Sequence, residues 1–123
     1  MESAFTKKRA VVYARANAFE RYSIHSQVRL CHAKMKNDQV EEVYPPIVDI
    51  ASGKSHKRYG LRELQKLAEN RSIDYLYVCT IDRLGREIVK TLQLLKILAE
   101  ADVTVKTVDG EFSFSNLGNI GSV

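Results

Sequence analysis

Apolar positions along the chain switch between two periods. Ala10 to Ala14 form a short apolar run bounded by charge, which predicts a buried strand. From Ser23, a residue able to cap a helix, Ile24, Val28, Cys31 and Met35 recur at helical spacing until Asn37-Asp38. Val40 to Ile50 predicts a second strand, and Pro45-Pro46 should bend or break it, so that it lies near a sheet edge or enters the sheet late. A polar loop, Asp49 to Arg58, follows. Gly60 opens a second helical stripe of Leu61, Leu64, Leu67 and Ala68, ending near Asn70. Ile73 to Cys79 predicts a third and most buried strand. It stops at a charged junction, Asp82-Arg83-Leu84-Gly85-Arg86, and a third helix continues with Ile88, Leu92, Leu95 and Leu98. Val103 to Val108 predicts a last strand, and from Asp109 the pattern thins.

This alternation predicts an α/β fold: an open, three-layer, mostly parallel sheet with helices on both faces. Such sheets bind ligands beyond the carboxyl ends of their strands. That rule gathers three separate loops at one edge. Arg15 and Asn17 follow the first strand, Asp49 through Arg58 the second, and Asp82, Arg83 and Arg86 the third. Four arginines around two aspartates make a net positive pocket, suited to a phosphodiester. Arginine fits that task better than lysine because its planar fork matches two oxygens at once.

Each residue also has a plainer reading. Arg58 could merely pair with Asp49, and Asp82 is expected to cap the third helix as well as orient a cation. Arg83 and Arg86 share a face only if the helix has begun. Gln27 and His25 read as surface or helix-start residues, Ser52 as a loop hydrogen-bonder, and Lys54 as a solvated or phosphate-facing charge. Arg15 is the hardest to explain structurally, since it follows directly on a buried strand.

The 123 residues suffice for one domain with a core and are too few for two. No apolar stretch approaches membrane-spanning length, and Met1 to Arg9 is polar and basic, without the apolar segment of a secretory signal. Cys31 and Cys79 occupy apolar positions outside any metal-binding spacing, which predicts two buried thiols in a reducing compartment and no metal. The net charge of +4 is compatible with nucleic acid. Two other phosphate chemistries fail. Gly53-Lys54-Ser55 lacks the glycine a Walker loop needs five residues earlier, where Val48 stands. A phospho-acceptor receiver domain needs acids after the first strand to hold magnesium, where Arg15 stands.

Taken together, the loops resemble the catalytic domain of the serine site-specific recombinases, the resolvase/invertase and large serine integrase family. The resemblance rests on Val12-Tyr13-Ala14-Arg15, Ser23-Ile24-His25-Ser26-Gln27, Asp49-Ile50-Ala51-Ser52-Gly53-Lys54-Ser55 with Arg58 and Gly60-Leu61, and Ile81-Asp82-Arg83-Leu84-Gly85-Arg86, in this order. It implies a resolvase-like fold over residues 9–112, after a basic tail at 1–8. Residues 113–123 would begin a linker or long helix that is cut short. It also implies a prokaryotic or phage cytoplasm, double-stranded DNA as partner, and no metal or nucleotide cofactor. The implied chemistry is attack of a serine hydroxyl on the scissile phosphate, giving a 5′-phosphoseryl link and a free 3′-OH, followed by strand exchange within a tetramer. Arg15, Arg58, Arg83 and Arg86 would hold the phosphate, with Asp49 and Asp82 orienting them. Gln27 matches a polar position of the family's first helix, and Lys54 would add a phosphate contact. The family's dimerisation helix would only be starting at Val123, so this length of chain is expected to be a monomer.

One departure stands out. The family places its nucleophilic serine two residues after the first-strand arginine, where this chain has Asn17. An amide nitrogen is delocalised into its carbonyl and does not attack phosphate. The Ala16 to Arg21 loop is also unusual, with Arg21 or its neighbours where the family often has glutamine. Three explanations compete: a substitution that traps an otherwise active domain, a naturally inactive DNA-associated assembly or regulatory module, or a hydroxyl supplied instead by Ser23, Ser26 or Ser52. The last ranks lowest, because a displaced nucleophile loses in-line geometry.

Overall fold

The computed structural model describes residues 7–17, 20, 22–51, 59–85 and 87–108. Its central strand is β1 (Arg9–Asn17), which pairs with neighbours on both sides. Helix α1 (Tyr22–Asp38) returns the chain to the starting edge of the sheet. There β2 (Glu41–Glu42) pairs with the first residues of β1 and β3 (Ile47–Ala51) with its last. β2 and β3 are therefore two halves of one edge strand, interrupted across Val43 to Pro46. The two prolines do what was expected of them, since neither has an N–H to give a ladder.

Helix α2 (Tyr59–Glu69) leads to β4 (Tyr75–Val78) on the other side of β1. A 3-10 turn (Ile81–Arg83), helix α3 (Ile88–Glu100) and β5 (Thr104–Thr107), which is outermost among the described strands, follow. Among the described residues all four strand pairings are parallel, so these strands' carboxyl ends point to the same edge.

Strand alternation divides the core into two layers. Val11, Tyr13, Ile47, Leu76, Val78 and Val105 pack against Leu64 and Ala68 of α2 and Leu94, Leu95 and Leu98 of α3. Ala10, Val12 and Tyr77 face the other way, onto Cys31 and Met35 of α1. The three layers match the expectation.

The details differ in several places. β1 runs on to Asn17, so Arg15 and Asn17 end that strand and do not follow it, and Asp49 lies within β3. Ser23 lies within α1 rather than capping it. The third helix starts at Ile88, not at the charged junction, because Ile81 to Leu84 close a 3-10 turn first. Its buried stripe is also rotated from the expected one: Leu94, Leu95 and Leu98 are inside, while Ile88 is 75% and Leu92 44% exposed. α3 is apolar nearly all round, so spacing alone allows more than one inward face.

Candidate active site

The carboxyl end of β1 outruns β4. The β1–β4 register ends at Val12 against Tyr77, whereas the β1–β3 register continues to Asn17 against Ala51. At Arg15 the backbone therefore needs partners that β4 does not supply. Gln27 of α1 provides them. Its Oε1 accepts the Arg15 N–H at 3.2 Å, and its Nε2 donates to the Arg15 carbonyl at 2.9 Å. One side-chain amide thus stands in for a missing strand residue. The same Nε2 donates to Ser23 Oγ at 3.1 Å, one helical turn earlier. The Arg15 carbonyl also accepts Nη1 of Arg83 at 3.0 Å. That bond joins the loop after β4 to the end of β1.

The turn carrying Arg83 is anchored by its apolar residues. Residues three apart eclipse in a 3-10 turn, and Leu84 is buried in the core with Ile81 packed against it. Asp82 lies exposed between them. The N–H groups of Arg83, Leu84 and Gly85 donate in succession to the carbonyls of Thr80, Ile81 and Asp82, at 3.1, 3.0 and 3.2 Å. The Asp82 carboxylate accepts the Thr80 hydroxyl. Asp82 does not cap a helix as expected: it is internal to the turn, and Glu87 holds the position before α3.

On β3, and not in the loop after it as expected, Asp49 lies beside Arg15 in register and is buried. Its carboxylate accepts the Tyr13 hydroxyl at 2.6 Å and the Gly60 N–H at 2.8 Å, in the first turn of α2. A Cβ on Gly60 would come within 2.8 Å of both Asp49 Oδ2 and Ile47 Cγ2. Glycine is thus required there for close approach, which brings the start of α2 onto the carboxylate.

β1 places Tyr13, Arg15 and Asn17 on the α2/α3 side of the sheet. An open groove of about 760 Å³ runs from Arg15 between α2 and α3, with Leu61, Leu84 and Leu94 among its lining residues. Among the described residues, no group of three or more His, Cys, Asp or Glu side chains could hold a metal ion.

Residues 10–119 match the sequence model of the family described as resolvase, N-terminal domain. The chain belongs to that family. It is a resolvase-family serine recombinase catalytic domain, and solved structures agree. It is similar to the C-terminal catalytic domain of ISC1926 TnpA, an IS607-like serine recombinase, at 29% identity and a TM-score of 0.72, over 81% of this chain and 68% of that one. It shares its fold with the N-terminal catalytic domain of TP901-1 integrase (20% identity, TM-score 0.77, 93% of this chain and 88% of that one). The fold is also that of a resolvase family site-specific recombinase from Streptococcus pneumoniae (20% identity, TM-score 0.76, 94% of this chain and 87% of that one). No curated protein matches the chain in sequence.

Within this resolvase domain, Arg15, Asn17, Asp49, Asp82 and Arg83 all lie at the carboxyl edge of the sheet. Arg58, Arg86 and Lys54, with Ser52, lie outside the described residues. Gln27 is corrected: at 4% exposure it is buried, not a surface residue, and its amide is spent on Arg15 and Ser23. Tyr13 was missed as a site residue because it sits in an apolar run. The available signal was its hydroxyl, which needs a partner when a strand is buried on both faces. Of the two thiols, Cys31 is fully buried but Cys79 is only partly so. The Cys31 thiol is pushed well above its ordinary range, first by its hydrogen bond to Cys79 and then by burial.

Proposed function

We infer that this domain grips the scissile phosphodiester of double-stranded DNA and, as its sequence stands, does not form the covalent protein–DNA link. The observation carrying this reading is the bond from Arg83 to the Arg15 carbonyl. It ties the turn bearing Arg83 to the end of the strand bearing Arg15, beside Asn17 on the same strand. Asp49 serves in positioning: held by Tyr13 and Gly60, it fixes β3 and the start of α2 beside Arg15. Gln27 is likewise a positioning residue, because its donors are already engaged within the protein. Arg58, Arg86 and Lys54 complete the phosphate-holding set in this reading, and Asp82 orients the arginines from the turn. Preorganised cations of this kind are each worth about 3 kcal/mol to a charged transition state.

The missing half is the nucleophile. Asn17 offers an amide, and Ser23 Oγ is turned to Gln27 on the α1 side. Substituting Asn17→Ser restores the hydroxyl at the end of β1. With a nicked suicide duplex that releases its short strand on cleavage, the unaltered chain should give no covalent adduct. The Asn17→Ser chain should give one, read as a slower band on a denaturing gel. An adduct on the unaltered chain would overturn the reading. If neither chain forms an adduct but both associate with other copies, the domain is instead an assembly or regulatory module; α3 offers Ile88, Val89 and Leu92 exposed for such contacts.

A further inference from the structure

We propose that the outer face of α1 is a second nucleic-acid contact, a cationic track for the phosphate backbone leading away from the candidate active site. His25, Arg29, His32 and Lys36 are all exposed and follow one another at spacings of four, three and four residues. At about 100° per residue they fall within roughly 60° of helix circumference, over roughly 17 Å of length. Lys7 joins the far end, lining a shallow depression with His32 and Lys36.

The charge is segregated, not merely present. α1 carries Arg29, Lys34 and Lys36 with a single acid, Asp38, and that acid is turned onto the sheet: it accepts the Tyr77 hydroxyl at 2.7 Å and lies 3.5 Å from Lys106. The other helices mix their signs, Arg62 and Lys66 against Glu63 and Glu69 in α2, and Lys90 and Lys96 against Glu100 in α3. Glu42 tempers one point of the stripe by its bond to His32 at 2.9 Å. The formal charges on this face are Arg29 and Lys36, joined by Lys7, with Lys34 on the opposite side of the helix; this spaced set of cations suits the phosphates of a polyanion.

The placement gives it direction. Gln27, two residues from His25, is the residue that holds the Arg15 backbone. The stripe therefore starts beside the carboxyl edge of the sheet and ends at the opposite edge. α1 lies on the face of the sheet opposite the Arg15 side chain, so DNA seated at Arg15 and Arg83 would reach the stripe by passing over the carboxyl edge. This proposal rests on the DNA-binding reading above, and one experiment separates the two.

The full chain, labelled with ¹⁵N, is titrated with a short duplex oligonucleotide while backbone amide shifts are followed. Shifts at Arg29, His32 and Lys36 together with Arg15 and Arg83 support both readings. Shifts on α1 without Arg15 and Arg83 keep the track and overturn the phosphate site. Shifts confined to Arg15 and Arg83 overturn the track and keep the site, and no shift overturns both. In binding measured against salt, the double reversal Arg29→Glu/Lys36→Glu should weaken affinity on the order of tenfold and reduce the salt slope by about 2. The control reversal Lys66→Glu/Lys96→Glu makes the same change in net charge on exposed positions of α2 and α3. If it does the same damage, the effect is bulk charge and the track is overturned.

Discussion

At the scale of single residues, the site is built less from its cations than from the groups that hold them. Arg15 is placed by Gln27, Asp49 by Tyr13 and Gly60, and Arg83 by the carbonyl it reaches. Gly60 shows how local preference and tertiary contact can oppose each other. Glycine inside a helix normally costs about 0.5–1 kcal/mol relative to alanine, so Gly60→Ala should stabilise α2 on propensity alone. The added Cβ would instead meet a buried carboxylate and Ile47 at 2.8 Å. We expect a net loss of about 1–3 kcal/mol, read as a lower urea midpoint. An unchanged or raised midpoint would mean that Asp49 moves aside without cost.

At the scale of elements, the three helices end alike, on a non-glycine residue of left-handed backbone: Gln39 after α1 (φ 58°), Arg71 after α2 (φ 56°) and Asp102 after α3 (φ 61°). In each case the next residue donates back to the carbonyl five positions earlier, Val40 to Met35, Ser72 to Leu67 and Val103 to Leu98, at 3.3, 2.9 and 2.8 Å. These are Schellman closures, which usually recruit glycine. A side chain in that conformation costs about 1–2 kcal/mol. Gln39→Gly should therefore raise stability by about 0.5–1 kcal/mol once glycine's greater backbone entropy is subtracted. A rise in Tm of the variant checks this; a fall would show that the Gln39 side chain does more than tolerate the turn. Arg71 and Asp102 are poorer choices, because they bond each other at 3.0 Å.

At the scale of the molecule, the sheet is secured at the edge opposite the site. The guanidinium of Arg9 donates to both carboxylate oxygens of Asp74 at 3.1 Å, and the Arg9 N–H donates at 2.8 Å, closing the start of β1 onto the approach to β4. The Arg9 side chain, and then its backbone N–H, hold the Asp74 carboxyl below the usual carboxylate range, against the opposing effect of burial. A depressed folded-state pKa means that the unfolded chain binds more protons as pH falls. The contribution is therefore fully present above the unfolded value, near 4, and is lost as pH drops through the folded one. Asp74→Asn should cost about 1 kcal/mol at neutral pH, allowing for solvent screening of the half-exposed pair. Its stability should also fall less steeply than the parent's below about pH 4, in urea titrations at stepped pH. Parallel acid limbs would place the acid sensitivity elsewhere.

The order of strands and helices, the broken edge strand and the edge at which charges gather were legible in the chain, because they follow from periods of 2 and 3.6 and from the missing N–H of proline. That Asn17 stands two residues after Arg15 was legible too, since it needs only residue identity and spacing. The start of the third helix, its inward face and the work of Gln27 were not. Each depends on where a neighbouring element stops: β4 ends short of β1, and only then does Arg15 need a side-chain amide in place of a strand. A hydrogen-bond requirement created by the unequal length of two strands has no signature in either strand alone, and it took the assembled sheet to turn Gln27 inward.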